Sequence, residues 1–593
     1  MRYDEWTSLP AMFYEQAEAG GSAPFMWAKK DEEYQPLSWR DAVETARNLA
    51  RGLVALGIER GDRVVLVSEN RPEWGLADFA IMSAGGITVP AYTTNTARDH
   101  KHILTDSGAK AAIVSTRQLA QRLLPAAQEC ENVEFIIAMD DVEAGAFDAT
   151  IHSWDDVLWR GEAAAEDIDG IIAGLKRTDV ACLIYTSGTG GNPKGVMLRH
   201  ESIFANCRGA NLLLQKLGIG DDVFLSFLPL SHAYEHTAGL FFPISINAQI
   251  YYAEGIETLA TNLTEARPTV MVSVPRLYDV MRARILTAIN RQGGLKALLF
   301  RAAVRLGTQE YERPGSLTGT QRLFNGLLDK LVRRKVQARF GGRLKAMISG
   351  GAALNPEVGK FFTALGVRLL QGYGQTEAAP VISCNMPDAV DLSTVGPPLD
   401  GVEVRIADDG EILVSGKQVM EGYWNDPDST ALAIRDGWLH TGDVGHIDES
   451  GRIRITDRKK DIIVLSGGDN ISPQRVEGML TLQPEIAQAM VVGDGRSHLV
   501  ALLVPDDEFM SEWNEHRGTH VSLGELRDDP EFVKAITGAV DRVNPDLSTL
   551  ERVKKFAIAD EAFTVDNEQM TPTLKVRRHK VLALYGETLN ALY

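Results

Sequence analysis

The sequence predicts an α/β fold: a large N-terminal body of αβ-layered subdomains, then a small β-rich subdomain, then a small α+β C-terminal domain. Three observations predict it. Helical periodicity alternates with short apolar, β-branched runs up to about residue 275, which calls for a parallel or mixed sheet with helices on its faces. From about residue 403 the texture becomes short alternating strands with tight turns. After Asp457-Arg458-Lys459-Lys460-Asp461 an αβ alternation resumes and ends in a final helix. At 593 residues with 44% hydrophobic, 24% charged and 7% aromatic side chains, the chain has ample material for a core.

The elements follow in order. SWRDAVETARNLARGLVALGI (38–58) is amphipathic at helical spacing and ends near Gly57, and Gly61-Asp62 leads into the strand-like RVVLVSE. Helix-like WGLADFAIMSAG precedes ITVPAY, and AAIVST and EFIIAM read as further strands. The pattern returns in VACLIYTSG, DVFLSFLPL and TVMVSVP (269–275). Residues 282–345 break the rhythm with 15 Lys or Arg against 3 Asp or Glu. Their Leu, Phe and Val spacing predicts two amphipathic helices joined around Arg313-Pro314-Gly315, of the kind that can lie on an anionic membrane surface. VEVRIAD, EILVSG and GRIRITD are the short strands of the β-rich part, about 395–457.

Charge and cysteine content exclude several functions. The 61 basic and 80 acidic residues give a net charge of −19, which argues against a nucleic-acid partner. Cys130, Cys182, Cys207 and Cys384 form no CxxC pair, so neither a zinc site, a redox dithiol nor a disulfide framework is expected. MRYDEWTSLPAMFYEQ lacks a basic segment followed by an apolar one, and no run reaches the ~18 apolar residues of a membrane span. The expected setting is cytoplasmic, with peripheral contact at the inner face of a membrane through 282–345.

The strongest local motif is Tyr185-Thr186-Ser187-Gly188-Thr189-Gly190-Gly191-Asn192-Pro193-Lys194-Gly195, after an apolar strand and before a helix near His200. Backbone N–H groups and hydroxyls in such a run can wrap phosphate oxygens, with Lys194 adding charge. It is not a Walker A loop, because Pro193 precedes Lys194 and Gly195 follows it. LPLSHAYEH (228–236), ISGGAALNP (348–356), QGYGQTE (371–377), DGWLHTGD (436–443), DRKKDIIVLSGGDNISP (457–473) and TPTLKVRR (571–578) follow in order.

Together these motifs resemble those of the adenylate-forming superfamily of acyl-CoA synthetases, adenylation domains and luciferases, over the entire chain. The resemblance implies an N-terminal AMP-binding domain (1–457) and a mobile C-terminal domain (458–593) with its hinge near Lys460. It implies that Thr186, Ser187, Gly188, Thr189 and Lys194 hold phosphates, and that Gly350, Gly351 and Ala352 line the adenine edge. Gln371, Gly372, Tyr373 and Gly374 approach the nucleotide, with Tyr373 stacked on adenine and Thr376 at the α-phosphate. Asp443 and Arg458 grip the ribose, and Glu377 with Thr186 holds Mg²⁺, a hard cation suited to oxygen ligands. His232 belongs to the substrate-side motif. Lys575, in TPTLK, is the adenylation lysine, and Gly467 and Gly468 face a thiol channel.

The 436–477 stretch resembles the fatty acyl-CoA synthetase signature, and SGGDN rather than SQGEY points to the bacterial type. The implied reaction joins a long-chain fatty acid to coenzyme A through an acyl adenylate formed from ATP. The same motifs would serve an acyl-AMP ligase loading a carrier-protein pantetheine. A binder of nucleotide or fatty acid without catalysis is a third reading, against which Lys575 and Glu377 both stand.

Overall fold

The computed structural model describes residues 1–142, 150–186, 192–571 and 575–593. The predicted alternation forms two eight-stranded sheets. One runs Thr150–Ser153, Phe135–Ala138, Ala111–Val114, Arg63–Val67, Ile87–Ala91, Val180–Thr186, Lys194–Arg199, Gly422–Tyr423 from edge to edge. The other runs Val381–Cys384, Leu369–Gly374, Ala346–Ser349, Val270–Ser273, Val223–Ser226, Gln249–Tyr252, Pro24–Lys30, Glu33–Ser38. Most central pairs are parallel, with Val64–Val67 wholly buried, as expected of strands covered on both faces.

Local chemistry sets the helix limits. The helix Trp39–Ala55 starts where the Ser38 side chain accepts from Asp41 N–H, and its buried face (Ala42, Ala46, Leu49, Leu53) recurs at helical spacing. Trp39 stacks on Phe25 at 3.6 Å between ring centroids, tying this helix to the second sheet. Thr96 and Asp99 form a reciprocal cap on Ala97–Ser107, which ends at the left-handed Gly108.

Two segments differ from the sequence reading. The glycine-rich loop does not run from strand to helix: residues 194–199 form a strand antiparallel to Val180–Thr186, and the helix His200–Gln215 comes only after it. The strands on either side of the loop, Val180–Thr186 and Lys194–Arg199, are therefore antiparallel neighbours, and the helix N-terminus at His200 lies one strand further along the chain. In the basic segment the two expected helices stand on either side of Arg313-Pro314-Gly315, and an additional helix, Pro275–Gln292, precedes them across Gly293 and Gly294, both at positive φ, before Gly294–Glu312. A separate helical run, Gly319–Leu328, passes through a π-turn (Asp329–Arg333) into Arg334–Arg339. Arg333 is buried and donates to the carbonyls of Ala303, Asn325 and Ala364, so one of the basic residues is a structural tie.

The β-rich part is a five-stranded sheet, Glu403–Ile406, Glu411–Ser415, Trp438–Ile447 and Ile434–Arg435, with Ile453–Arg458 also paired to Trp438–Ile447. Gly422–Tyr423 leaves it to pair with Lys194–Arg199. Beyond Arg458 come a hairpin (Ile463–Val464 with Asn470–Ile471) and a three-stranded sheet of Ile486–Val492, Leu499–Pro505 and Val553–Ile558. The buried side chains of this part, among them Phe532, Ile536 and Val540, cluster with one another. It meets the body through Asn355 Nδ2 to Gly478 O (2.8 Å) and Arg276 Nη1 to Ala487 O (3.0 Å).

Candidate active site

The motifs converge because the strands that carry them end close together. Val180–Thr186 and Lys194–Arg199 pair so that Thr186 lies opposite Lys194. Ser187, Gly188 and Thr189 lie outside the described residues. Lys194 is half-buried, 3.4 Å from Asp426 Oδ2, hydrogen-bonded to Ser429 Oγ, and 5.2 Å from the centroid of the Tyr423 ring.

In the second sheet, the strand Leu369–Gly374 carries Gln371, Gly372, Tyr373 and Gly374. A Cβ on Gly374 would lie 1.9 Å from Pro380 O, so only glycine permits the return of the chain there. The turn places Thr376 and Glu377 on a short 3₁₀ helix, and Asn206, from His200–Gln215, clamps it by donating to Ala378 O (2.9 Å) and accepting from Val381 N–H (2.8 Å). Glu377 Oε1 accepts from the Tyr423 hydroxyl at 2.9 Å.

Tyr373 is buried and donates its hydroxyl to Asp443 Oδ2 at 2.7 Å. Asp443 pairs across the strands with Arg458, whose Nε lies 3.3 Å from its other oxygen. These three residues, assigned to ring stacking and ribose by separate motifs, are thus one bonded unit. Gly350, Gly351 and Ala352 follow the strand Ala346–Ser349, with Gly350 N–H on Ser273 O and its open side against the Tyr234 ring. Tyr234 donates to Ile348 O (2.9 Å), which joins the His232 motif to the glycine motif. Among the described residues, Ser349 Oγ, Gln371 Oε1 and Gln375 Nε2 are buried polar atoms without a partner, which suits a polar ligand such as a nucleotide.

Lys575 reaches this cluster from the C-terminal part. Its charge is felt at His232, and it in turn responds to Arg458, Asp443 and Glu377. Burial lowers the ammonium, Arg458 lowers it further, and the two carboxylates oppose both, leaving it at about 8. Its backbone is fixed locally, with its N–H on Thr571 Oγ1 at 3.0 Å. His232 accepts from Tyr234 N–H through Nδ1 (3.2 Å), which places the proton of the neutral ring on Nε2. Burial holds this imidazole at about 4, so it is neutral at physiological pH.

Lys460 is exposed, between Ile453–Arg458 and Ile463–Val464. Gly467 and Gly468 sit in the exposed hairpin turn beside residues 493–496, and among the described residues no hydrogen bond joins that turn to Lys575. The sequence reading missed Asn206, Tyr423, Asp426 and Ser429. Only the GYWND turn residues around Tyr423 hinted at a special segment; the pairing of that segment with Lys194–Arg199 is a long-range contact. Glu377 and Thr186 offer the oxygen ligands that suit a hard divalent cation, and among the described residues only one carboxylate oxygen of Glu377 is engaged.

Two eight-stranded sheets, a β-rich appendage and a C-terminal part carrying Lys575, together with the matches that follow, place the chain among the adenylate-forming enzymes. Residues 13–424 match the model of the AMP-binding enzyme family, and residues 460–593 match that of the AMP-binding enzyme C-terminal domain. The chain belongs to this family of AMP-binding enzymes. It is 34% identical over 571 residues to the long-chain-fatty-acid–CoA ligase FadD15 of Mycobacterium tuberculosis, covering 95% of this chain and 93% of that protein. It is 30% identical over 628 residues to human long-chain-fatty-acid–CoA ligase 1, covering 100% and 87%. Among solved structures, the adenylation domain of a carboxylate reductase from Mycobacterium chelonae superposes with a TM-score of 0.80 at 22% identity, covering 99% of this chain and 91% of that one. O-succinylbenzoate coenzyme A synthetase of Bacillus subtilis, in complex with ATP and magnesium, gives 0.67 at 21% identity, covering 96% and 98%.

Proposed function

We propose that this protein is an AMP-forming long-chain fatty acid–CoA ligase. The observation that carries the reading is the convergence of Lys575, Glu377, the Tyr373–Asp443–Arg458 unit and His232 on one cleft, together with the family of its relatives. Asp443 and Arg458 take the ribose, Gly350, Gly351 and Ala352 the adenine edge, and Thr376, Lys194 and the loop the phosphates. The fatty acid needs no base, since a carboxyl of pKa about 4.3 is ionised at pH 7. Its oxygen attacks the α-phosphorus, pyrophosphate leaves, and Lys575 offsets the charge that gathers on the phosphoryl oxygens. Neutral His232, with its Nε2 proton, orients the attacking carboxylate. Mg²⁺ held by Glu377 and Thr186 would neutralise phosphate charge. In the second half-reaction the thiol of coenzyme A attacks the acyl carbonyl and AMP leaves. The part beyond Arg458 turns about Lys460 between the two steps, presenting Gly467 and Gly468 to the thiol. Pyrophosphate release measured across straight-chain acids from acetate to C20, with and without coenzyme A, tests this. Long-chain acids should dominate and acyl-CoA should accumulate. Preference for acetate, or transfer only to an acyl carrier protein, would overturn it.

The same reading includes peripheral contact with an anionic lipid surface through 282–345. Among the described residues no helix is long and apolar enough to cross a membrane. Yet Leu323 (80% exposed), Phe324, Leu327 and Leu331 form an outward apolar stripe flanked by exposed Arg322, Lys330, Arg334 and Lys335. An apolar stripe between cations complements an anionic bilayer interface, where both can be satisfied at once. Flotation with phosphatidylglycerol vesicles should carry the protein, and a Leu323→Glu, Leu327→Glu double variant should stay behind. Equal flotation of both, or concentration-dependent dimers lost in the variant, would reassign the stripe.

A further inference from the structure

The segment 420–430 touches both Glu377 and Lys194, although no motif of the sequence reading includes it. Met420 N–H donates to Glu377 O (2.9 Å), Glu421 N–H to Met197 O (3.0 Å) and Trp424 N–H to Gly195 O (2.7 Å). Gly422 and Tyr423 extend the sheet beyond Lys194–Arg199. From this position Tyr423 does two things at once. Its hydroxyl donates to Glu377 Oε1 at 2.9 Å, and its ring face lies 5.2 Å from Lys194 Nζ. Asp426 and Ser429, at the start of the helix Pro427–Ala433, hold the same lysine from the other side.

We infer that Tyr423 is a positioning residue for the divalent cation of the nucleotide site, acting through Glu377 and coordinating nothing itself. The inference rests on the assignment of Glu377 as the metal carboxylate. A carboxylate on a three-residue 3₁₀ turn has rotational freedom that a single phenolic hydrogen bond removes. With Oε1 committed to that bond, the second oxygen is the one directed to a ligand. The ring beneath Lys194 adds a weak cation–π attraction that keeps the loop lysine on the same side of the cleft. Removing such an outer partner of a metal-binding group lowers metal affinity by about 10–100-fold.

The test uses the full-length enzyme with a non-hydrolysable ATP analogue and Mn²⁺, with bound ion read by electron paramagnetic resonance. Tyr423→Phe keeps the ring and its packing, and thermal unfolding checks that it folds. We expect its Mn²⁺ affinity to fall about 10–100-fold, while the KM for fatty acid is unchanged and high Mg²⁺ restores most of the rate. Glu377→Gln should weaken Mn²⁺ by itself, and adding Tyr423→Phe to it should cost little more. Unchanged Mn²⁺ affinity in Tyr423→Phe, or fully additive effects in the double variant, would overturn the inference. If Glu377→Gln itself leaves Mn²⁺ binding intact, the metal assignment fails and not the Tyr423 contact.

Discussion

Raising the pH through about 8 should discharge Lys575 and switch off adenylation in the free enzyme. Lys575 stands at about 8 because burial disfavours its charge and Arg458 adds repulsion, only partly offset by Asp443 and Glu377. With that value about nine-tenths of the side chains are charged at pH 7 and about one-tenth at pH 9. The measurement is kcat/KM for ATP from initial rates of pyrophosphate release between pH 6.5 and 9.5, since that ratio reports ionisations of the unliganded enzyme. The fatty acid stays ionised throughout, so the limb belongs to the protein. It should fall about tenfold per unit above pH 8.5. Arg458→Gln, which removes one of the two lowering causes, should move the limb to higher pH even as it weakens ATP. Lys575→Arg carries a permanent charge, so whatever activity it keeps should show no such limb. A flat wild-type profile to pH 9.5, or the same limb in Lys575→Arg, would refute the reasoning.

Further expectations concern the neighbouring groups. Tyr373→Phe removes the 2.7 Å donor to Asp443, and a hydrogen bond to a charged group is worth roughly 1.5–3 kcal/mol, so kcat/KM for ATP should fall at least about tenfold with fatty-acid KM unchanged. Lys460→Pro should spare acyl-adenylate formation and impair thioester formation; equal loss of both would remove the hinge from the account. Glu235 is fully buried and its carboxyl is raised to about 8 by burial, so the folded state holds its proton where the unfolded chain has lost it. Stability from this group is present below the unfolded value of 4.5 and declines as pH rises toward 8, so Glu235→Gln should raise the melting temperature more at pH 7.5 than at pH 4. A gain independent of pH would contradict that.

Where the sequence was legible, local pattern and packing agreed. Val64–Val67 and Ile136–Ile137 read as buried strands because nothing else accommodates consecutive apolar, β-branched residues, and the strands lie there. Glu377, Asp443, Arg458, His232 and Lys575 were named from motifs far apart in the chain, and the structure brings them near one another. Tyr423, Asp426, Ser429 and Asn206 act through contacts spanning 46 to 235 residues of chain, which no local window contains. The helix near His200 was read from the sequence and lies there, but the short strand 194–199 before it was not, since only its long-range pairing with Val180–Thr186 defines it.

The most direct measurement separates the two half-reactions in Lys575→Ala. The variant is given either ATP with palmitate or preformed palmitoyl-adenylate with coenzyme A, and acyl-adenylate and acyl-CoA are quantified by mass spectrometry. If Lys575 serves formation of the mixed anhydride and not its transfer, the first mixture yields almost no adenylate while the second yields palmitoyl-CoA at a rate close to wild type. Adenylate formed from ATP at the wild-type rate, with transfer to coenzyme A lost, would contradict the assignment of this cleft.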